Sequence, residues 1–176
     1  MKCSDFSVND SSVKNWFLVV SRFAPYKRID VAIEAFNQLG LPLLVVGEGR
    51  DRQRLEKIAG PNIRFVGRAL GKELKAYYSG CRAFILASKE DFGLTSLEAQ
   101  ASGRPVIAYA AGGALETVVE GVTGTFFHEQ TPEALITAVK NFHRFEFDSK
   151  RYVSMRRSLT LKYLSGGLRI LLRKSG

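Results

Sequence analysis

The chain has 176 residues, 45% hydrophobic and 24% charged, with a formal net charge of +9. That profile excludes a disordered, fibrous or membrane-embedded protein, and one core at this length buries roughly 70% of the unfolded chain's surface without a staple. Cys3 and Cys81 are isolated thiols, and His128 and His143 are the only imidazoles, so disulfide frameworks and Cys/His zinc spacings are excluded too.

The positive charge is concentrated at one end. Residues 144–176 carry nine Lys or Arg against two acids, and the rest of the chain is close to balanced. A solvated basic tail is therefore expected, and nucleic acid is not expected as a partner, since aromatic residues are not interleaved as a single-strand platform requires. The apolar runs are strand-sized and Met1–Asp5 lacks a signal-peptide core, so a cytoplasmic protein without a membrane span is expected.

In chain order, short β-rich apolar runs alternate with helix-period segments. Strands are expected at Trp16–Val20, Leu43–Val46, Ile63–Val66, Ala83–Ala87, Val106–Tyr109 and Gly124–Phe127. Ile29, Ala32, Ile33, Phe36 and Leu39 form a helical stripe after the first run. Leu74, Tyr77 and Tyr78 follow the third, and Leu94, Leu97 and Ala101 the fourth. Thr131-Pro132 reads as an N-cap and first helical residue ahead of Leu135, Ala138, Val139 and Phe142. This alternation predicts an α/β fold, a Rossmann-like, doubly wound, mostly parallel sheet with helices on both faces. Residues 1–15 are expected to form a leader, 16–147 the domain and 148–176 the basic tail.

Ligands of such sheets sit at the carboxyl ends of the strands. The loop after the first strand, Ser21–Arg28, carries Arg22, Lys27 and Arg28 ahead of a helix, a place suited to an anion. Gly47-Glu48-Gly49 begins like a dinucleotide fingerprint but lacks the third glycine, and is expected to be a tight turn. The loop after the fourth strand is richer. Glu90 and Glu98 are separated by seven residues, with Glu98 one turn inside a helix starting near Gly93. Helix-start amides receive phosphate, Gly93 permits close approach, and a carboxylate can accept from ribose hydroxyls. The chain has no Asp-x-Asp pair, so a metal-dependent pyrophosphate site is not indicated.

Ser-Arg-Phe-x3-Lys-Arg-Ile-Asp at Ser21–Asp30, Val-Val-Gly-Glu-Gly at Val45–Gly49, Asn-Ile-Arg-Phe-Val-Gly at Asn62–Gly67, the run Glu90–Ala108 and Gly-Gly-Ala-Leu-Glu-Thr-Val at Gly112–Val118 resemble the donor-binding, C-terminal half of the retaining GT-B glycosyltransferases (group 1). The likeness covers about Phe17–Phe142, and its wording after Arg22 is similar to the mannosyltransferase branch of polysaccharide biosynthesis. It implies that Arg22 and Lys27 neutralise the donor's pyrophosphate, that Glu98 holds the ribose, and that Glu90 contacts the transferred sugar. It further implies that Phe92, Gly93, Leu94 and Thr95 face phosphate and sugar, and that Arg68 borders the base. The donor would be GDP-mannose or another nucleoside-diphosphate sugar, and no separate cofactor or metal is implied. The acceptor would be a glycan or a lipid-linked molecule, with the full enzyme peripheral at the inner membrane face. Family members carry the acceptor site in an N-terminal domain for which this chain has no room, so transfer by this half alone is not expected. The alternative is a non-catalytic nucleotide-sugar-binding module or gene relic.

The tail departs from the family's pattern after Phe147. Reading Tyr152–Arg156 two bases into suitably chosen codons yields Arg-Glu-His-Ala, similar to the family's continuation, so a frameshift or sequencing error near Lys150 is expected.

Overall fold

The computed structural model describes residues 16–91 and 93–142. The expected leader, the basic tail and Phe92 lie outside the described residues. Six strands, β1 (Phe17–Val20), β2 (Leu43–Val46), β3 (Ile63–Val66), β4 (Phe84–Leu86), β5 (Val106–Tyr109) and β6 (Gly124–Phe127), alternate with helices α1 (Ile29–Leu39), α2 (Arg52–Ile58), α3 (Gly71–Gly80), α4 (Leu94–Ala101), α5 (Ala114–Thr117) and α6 (Pro132–Phe142). The sheet order is β3-β2-β1-β4-β5-β6 and every pairing between named strands is parallel. Four strands match the expected runs residue for residue. The first begins one residue later than expected and the fourth is trimmed at both ends, to Phe84–Leu86.

The side-chain alternation of each strand divides the core. Phe17, Val19, Leu43, Val45, Ile85 and Ile107 join α1 and α6 on one face, where Val31, Ile33, Phe36, Leu135 and Val139 meet them. Leu18, Leu44, Val46, Phe84, Leu86, Val106 and Ala108 join Tyr77 and Tyr78 of α3, Ala99 of α4 and Ala114 of α5 on the other. Over β1, β2, β4 and β5 both faces are therefore dry, as their apolar, unalternating sequences require, whereas the edge strand β3 leaves Arg64 exposed. Each large side chain buried this way contributes about 1.5–3 kcal/mol. Phe17 and Phe36 meet edge to face at 5.0 Å, locking α1 onto β1. Helix α1 stops at Gly40, whose φ of 65° lets its N–H reach the Phe36 carbonyl.

Cys81, just after α3, is fully buried and donates to the Tyr78 carbonyl at 3.2 Å. Burial pushes its thiol up to about 12 from an ordinary 9.0. At pH 8 the thiolate fraction is then about a thousandfold below that of a free cysteine. Cys81 is expected to resist iodoacetamide until the chain is unfolded, as peptide mass mapping would show. Labelling in the native protein at the rate of the denatured one would contradict this packing. Because the folded-state pKa is the higher one, the associated stability is complete below about pH 9 and declines as the pH rises from there toward 12.

Candidate functional site

The sheet order reverses between β1 and β4, so the loops that follow these two neighbouring strands leave in opposite directions and open a crevice between them. The β1–α1 loop is held from beneath. Phe23 is buried, packs edge-on against Phe65 at 6.0 Å, donates its N–H to the Glu48 carbonyl at 2.8 Å and accepts from the Asp51 N–H at 3.2 Å. A Cβ at Gly47 would collide with the Ser21 carbonyl oxygen, and one at Gly49 with that of Phe23. Gly47-Glu48-Gly49 is thus a close-approach turn that seats the arginine loop.

Beyond Phe23, Pro25–Lys27 make one 3-10 turn, and Arg28 follows at φ 49°, the sole non-glycine residue with positive φ among the described residues. Such a conformation is costly for a side-chain-bearing residue and persists where its surroundings hold it. Here Arg28 Nη1 donates to Gln130 Oε1 at 3.2 Å, and Gln130 Nε2 donates to the Ala87 carbonyl at 2.8 Å. The loop after β1 is tied through Gln130 to the end of β4.

Across the crevice, Glu90 has its backbone fixed by the Gly112-Gly113 pair. Glu90 and Gly112 form a parallel bridge, and Gly113 N–H donates to the Glu90 carbonyl at 2.6 Å. Lys27 Nζ donates to both carboxylate oxygens of Glu90, at 2.7 and 2.8 Å, and Ser88 Oγ donates to Oε1 at 2.6 Å. Gly93, at φ 61°, opens α4, and Ser96 Oγ donates to its carbonyl at 2.6 Å. Ser96 also meets Thr117 Oγ1 at 3.0 Å, Thr117 donates to the Gly113 carbonyl at 2.9 Å, and Gln100 Nε2 donates to the Thr117 carbonyl at 2.9 Å. This buried polar net joins the start of α4 to α5 and to the loop that grips Glu90.

The resulting cleft has a volume of about 470 Å³. Val20, Ser21, Arg22, Tyr26 and Lys27 line one wall, and Glu90, Asp91, Gly93, Leu94 and Thr95 the other. Of the residues singled out from the sequence, Arg22, Lys27, Glu90, Gly93, Leu94 and Thr95 are brought together here. Glu98 is exposed on α4, apart from this lining, and its Oε2 accepts from the buried Tyr78 hydroxyl at 2.9 Å. That burial and the adjacent Glu98 charge push the Tyr78 phenol upward. Arg68 is exposed in the β3–α3 loop, its N–H 3.4 Å from Glu48 Oε1. Phe92 lies outside the described residues.

Ser21, Tyr26, Ser88 and Asp91 were not singled out. Tyr26, between Pro25 and Lys27, stands at the mouth with Leu94, and Lys27 Nζ lies 5.1 Å from its ring centre. The hydroxyl of Ser88 two residues before Glu90 was a usable signal, since that spacing lets a serine reach a neighbouring carboxylate. Chemically, the cleft offers two cations, Arg22 and Lys27, and the first amides of α4, which have no intrahelical acceptor, beside the carboxylates of Glu90 and Asp91, which can accept from hydroxyls. Among the described residues, no group of three or more His, Cys, Asp or Glu is placed to hold a metal ion, and no helix is long and apolar enough to cross a membrane.

A family model described as glycosyl transferases group 1 matches residues 4–157. A GDP-mannose-dependent alpha-mannosyltransferase of Mycobacterium tuberculosis is 34% identical over 140 residues, 76% of this chain and 37% of that protein. A glycogen synthase of Pseudomonas aeruginosa is 34% identical over 132 residues, 70% of this chain and 26% of that one. Among solved structures, a sucrose-phosphate synthase from Thermosynechococcus elongatus superposes with a TM-score of 0.76 at 27% identity, covering 92% of this chain and 46% of its own. The chain spans about a third of the length of the curated relatives it matches.

Proposed function

Because the chain belongs to the group 1 glycosyl transferases, we propose that the cleft between β1 and β4 holds the nucleoside-diphosphate sugar of a retaining, metal-independent transfer to a glycan or lipid-linked acceptor in the cytoplasm. The observation that carries this reading is the convergence of Arg22, Lys27 and the first turn of α4 at the point where the strand order reverses. A pyrophosphate needs such a set of donors and fixed cations.

Cleaving the bond between sugar carbon and phosphate leaves negative charge on the departing nucleoside diphosphate and positive charge on the sugar ring. Arg22, Lys27 and the amides of Leu94 and Thr95 meet the former, and the amides, held by the helix backbone, do so without reorganising, which is where electrostatic catalysis has most effect. Glu90 accepts from hydroxyls of the transferred sugar. In this reading Glu98 takes the ribose hydroxyls, with Tyr78 orienting its carboxylate, and Arg68 lies beside the base. Gly93 completes the phosphate and sugar contacts.

One relative is named as GDP-mannose-dependent, and the likeness of the Ser21–Asp30 wording to mannosyltransferases favours GDP-mannose. Parallel calorimetric titrations with GDP-mannose, UDP-glucose and UDP-N-acetylglucosamine test this, with measurable binding expected for at least one and the tightest for GDP-mannose. In this reading acceptor recognition falls to the length of the relatives that the 176 residues do not span, so these residues alone are expected to bind donor yet transfer no sugar to an added acceptor. Adding a matching N-terminal half should restore transfer. Full turnover by this chain alone would refute that division of labour.

A further inference from the structure

The ion pair between Lys27 and Glu90 sets two requirements of the cleft against each other. Lys27 is needed as a counter-ion for phosphate, yet both oxygens of Glu90 already engage it at 2.7 and 2.8 Å, and the two side chains are only 17% and 21% exposed. Glu90 is poorly placed to withdraw. Its carbonyl is held by the Gly113 N–H, its Oε1 by the 2%-exposed Ser88, and a Cβ on neighbouring Gly112 would already collide with it. A phosphate that recruits Lys27 must therefore lie beside a fixed negative charge and take part of that charge's hydrogen bonding.

The cost depends on what the phosphate carries. A free nucleoside diphosphate ends in a phosphate with a second pKa near 6, so it bears about one more negative charge at pH 7 than its sugar ester. It also has no hydroxyl on its terminal phosphate to offer Glu90. The sugar ester brings less charge and a set of O–H donors. A carboxylate has roughly four acceptor sites, of which three are used by Lys27 and Ser88, so it retains capacity for a sugar hydroxyl and gains more as Lys27 turns to the phosphate.

We propose that Glu90, fixed by Ser88 and Gly113 and paired with Lys27, discriminates between the two ligands by charge, selectively weakening the hold on the nucleoside diphosphate and so promoting its release after the sugar has left. This inference rests on the donor-binding reading of the cleft, and it adds a role for Glu90 beyond touching the sugar.

The test is calorimetric titration of the full chain and of Glu90→Gln with GDP, GDP-mannose, UDP and UDP-glucose. Glu90→Gln retains the shape and discharges the carboxylate. It is expected to tighten the nucleoside diphosphates about tenfold, the usual size of an adjacent like charge's effect on an ionic equilibrium, while leaving the sugar esters unchanged or weaker. Glu90→Ala, followed with a melting curve, gives a second discharged side chain should the amide misfold. Ser88→Ala keeps the charge and is expected to change nucleoside-diphosphate affinity by less than about threefold. The inference is overturned if diphosphate and sugar ester shift by the same factor, if the diphosphate binds more weakly to both Glu90 variants, or if Ser88→Ala tightens it as much as Glu90→Gln. If the unaltered chain binds none of the four, the donor-binding reading itself fails, and this inference with it.

Discussion

Replacing Lys27 with alanine is expected to weaken binding of a nucleoside-diphosphate sugar by at least tenfold, and by more than a hundredfold if both consequences of the change are fully felt. Loss of a hydrogen bond to a charged group costs about 1.5–3 kcal/mol, which alone corresponds to roughly ten- to 150-fold. The second consequence is that Glu90, bound by Lys27 at 2.7 and 2.8 Å, loses its counter-ion and confronts the pyrophosphate directly. Calorimetry on Lys27→Ala checks the first effect, and Lys27→Ala combined with Glu90→Gln separates the second by restoring part of the affinity. Arg22 is exposed and forms no ion pair with an acid among the described residues, so Arg22→Ala should show the simple loss without the second effect. Undiminished affinity in Lys27→Ala, with an unchanged melting curve, would move the anion site elsewhere.

Gly112→Ala is expected to damage the fold and the site together. Gly112 has φ 61°, which disfavours any Cβ, and the Cβ would strike the backbone oxygen of Glu90, an atom that cannot swing aside as a flexible side chain can. A steric conflict between two backbone segments belongs among the larger single-substitution effects, and a loss on the order of 2–3 kcal/mol is expected. That lowers the melting temperature by about 4–12 °C for a domain of this size. Donor affinity should fall in parallel, since the Glu90 loop must shift to admit the methyl group. Gly121→Ala provides the comparison: its φ of 72° is equally unfavourable, but no atom lies within 4 Å of its added Cβ. If the two substitutions destabilise the chain equally, the contact with Glu90 contributes nothing.

Much of this architecture can be read directly from residue order, and the exceptions have physical causes. Leu43–Val46 and Val106–Tyr109 are recognisable because a strand covered on both faces must be apolar without alternation. Helix α2 escapes notice because Leu55 is its one buried residue, and the rest of Arg52–Ile58 is mostly charged and gives no apolar stripe. Helix α5 has only four residues, too few to show a period. In the site, Arg22, Lys27 and Glu90 stand out because charges in loops after strands are conspicuous. Tyr26 and Ser88 do not, since aromatic and hydroxyl residues are common in loops and their relevance depends on which wall of the cleft they occupy. The hydrogen bond from Tyr78 to Glu98 is invisible in the sequence for a related reason: it depends on how α3 packs beside α4, and no spacing rule links residues twenty apart on different helices.

The strand order has a mechanical consequence. The first half of the described chain builds β3, β2 and β1 in adjacent positions, and the second half builds β4, β5 and β6, so the sheet consists of two sequence-contiguous leaves meeting along a seam between β1 and β4. The two walls of the cleft stand on opposite sides of that seam, Arg22, Tyr26 and Lys27 on one leaf and Glu90, Leu94 and Thr95 on the other. A molecule lodged between them acts as a rivet. Its binding free energy is added to the cohesion of the leaves themselves, so occupancy is registered by the folding equilibrium of the entire sheet rather than by the order of one loop.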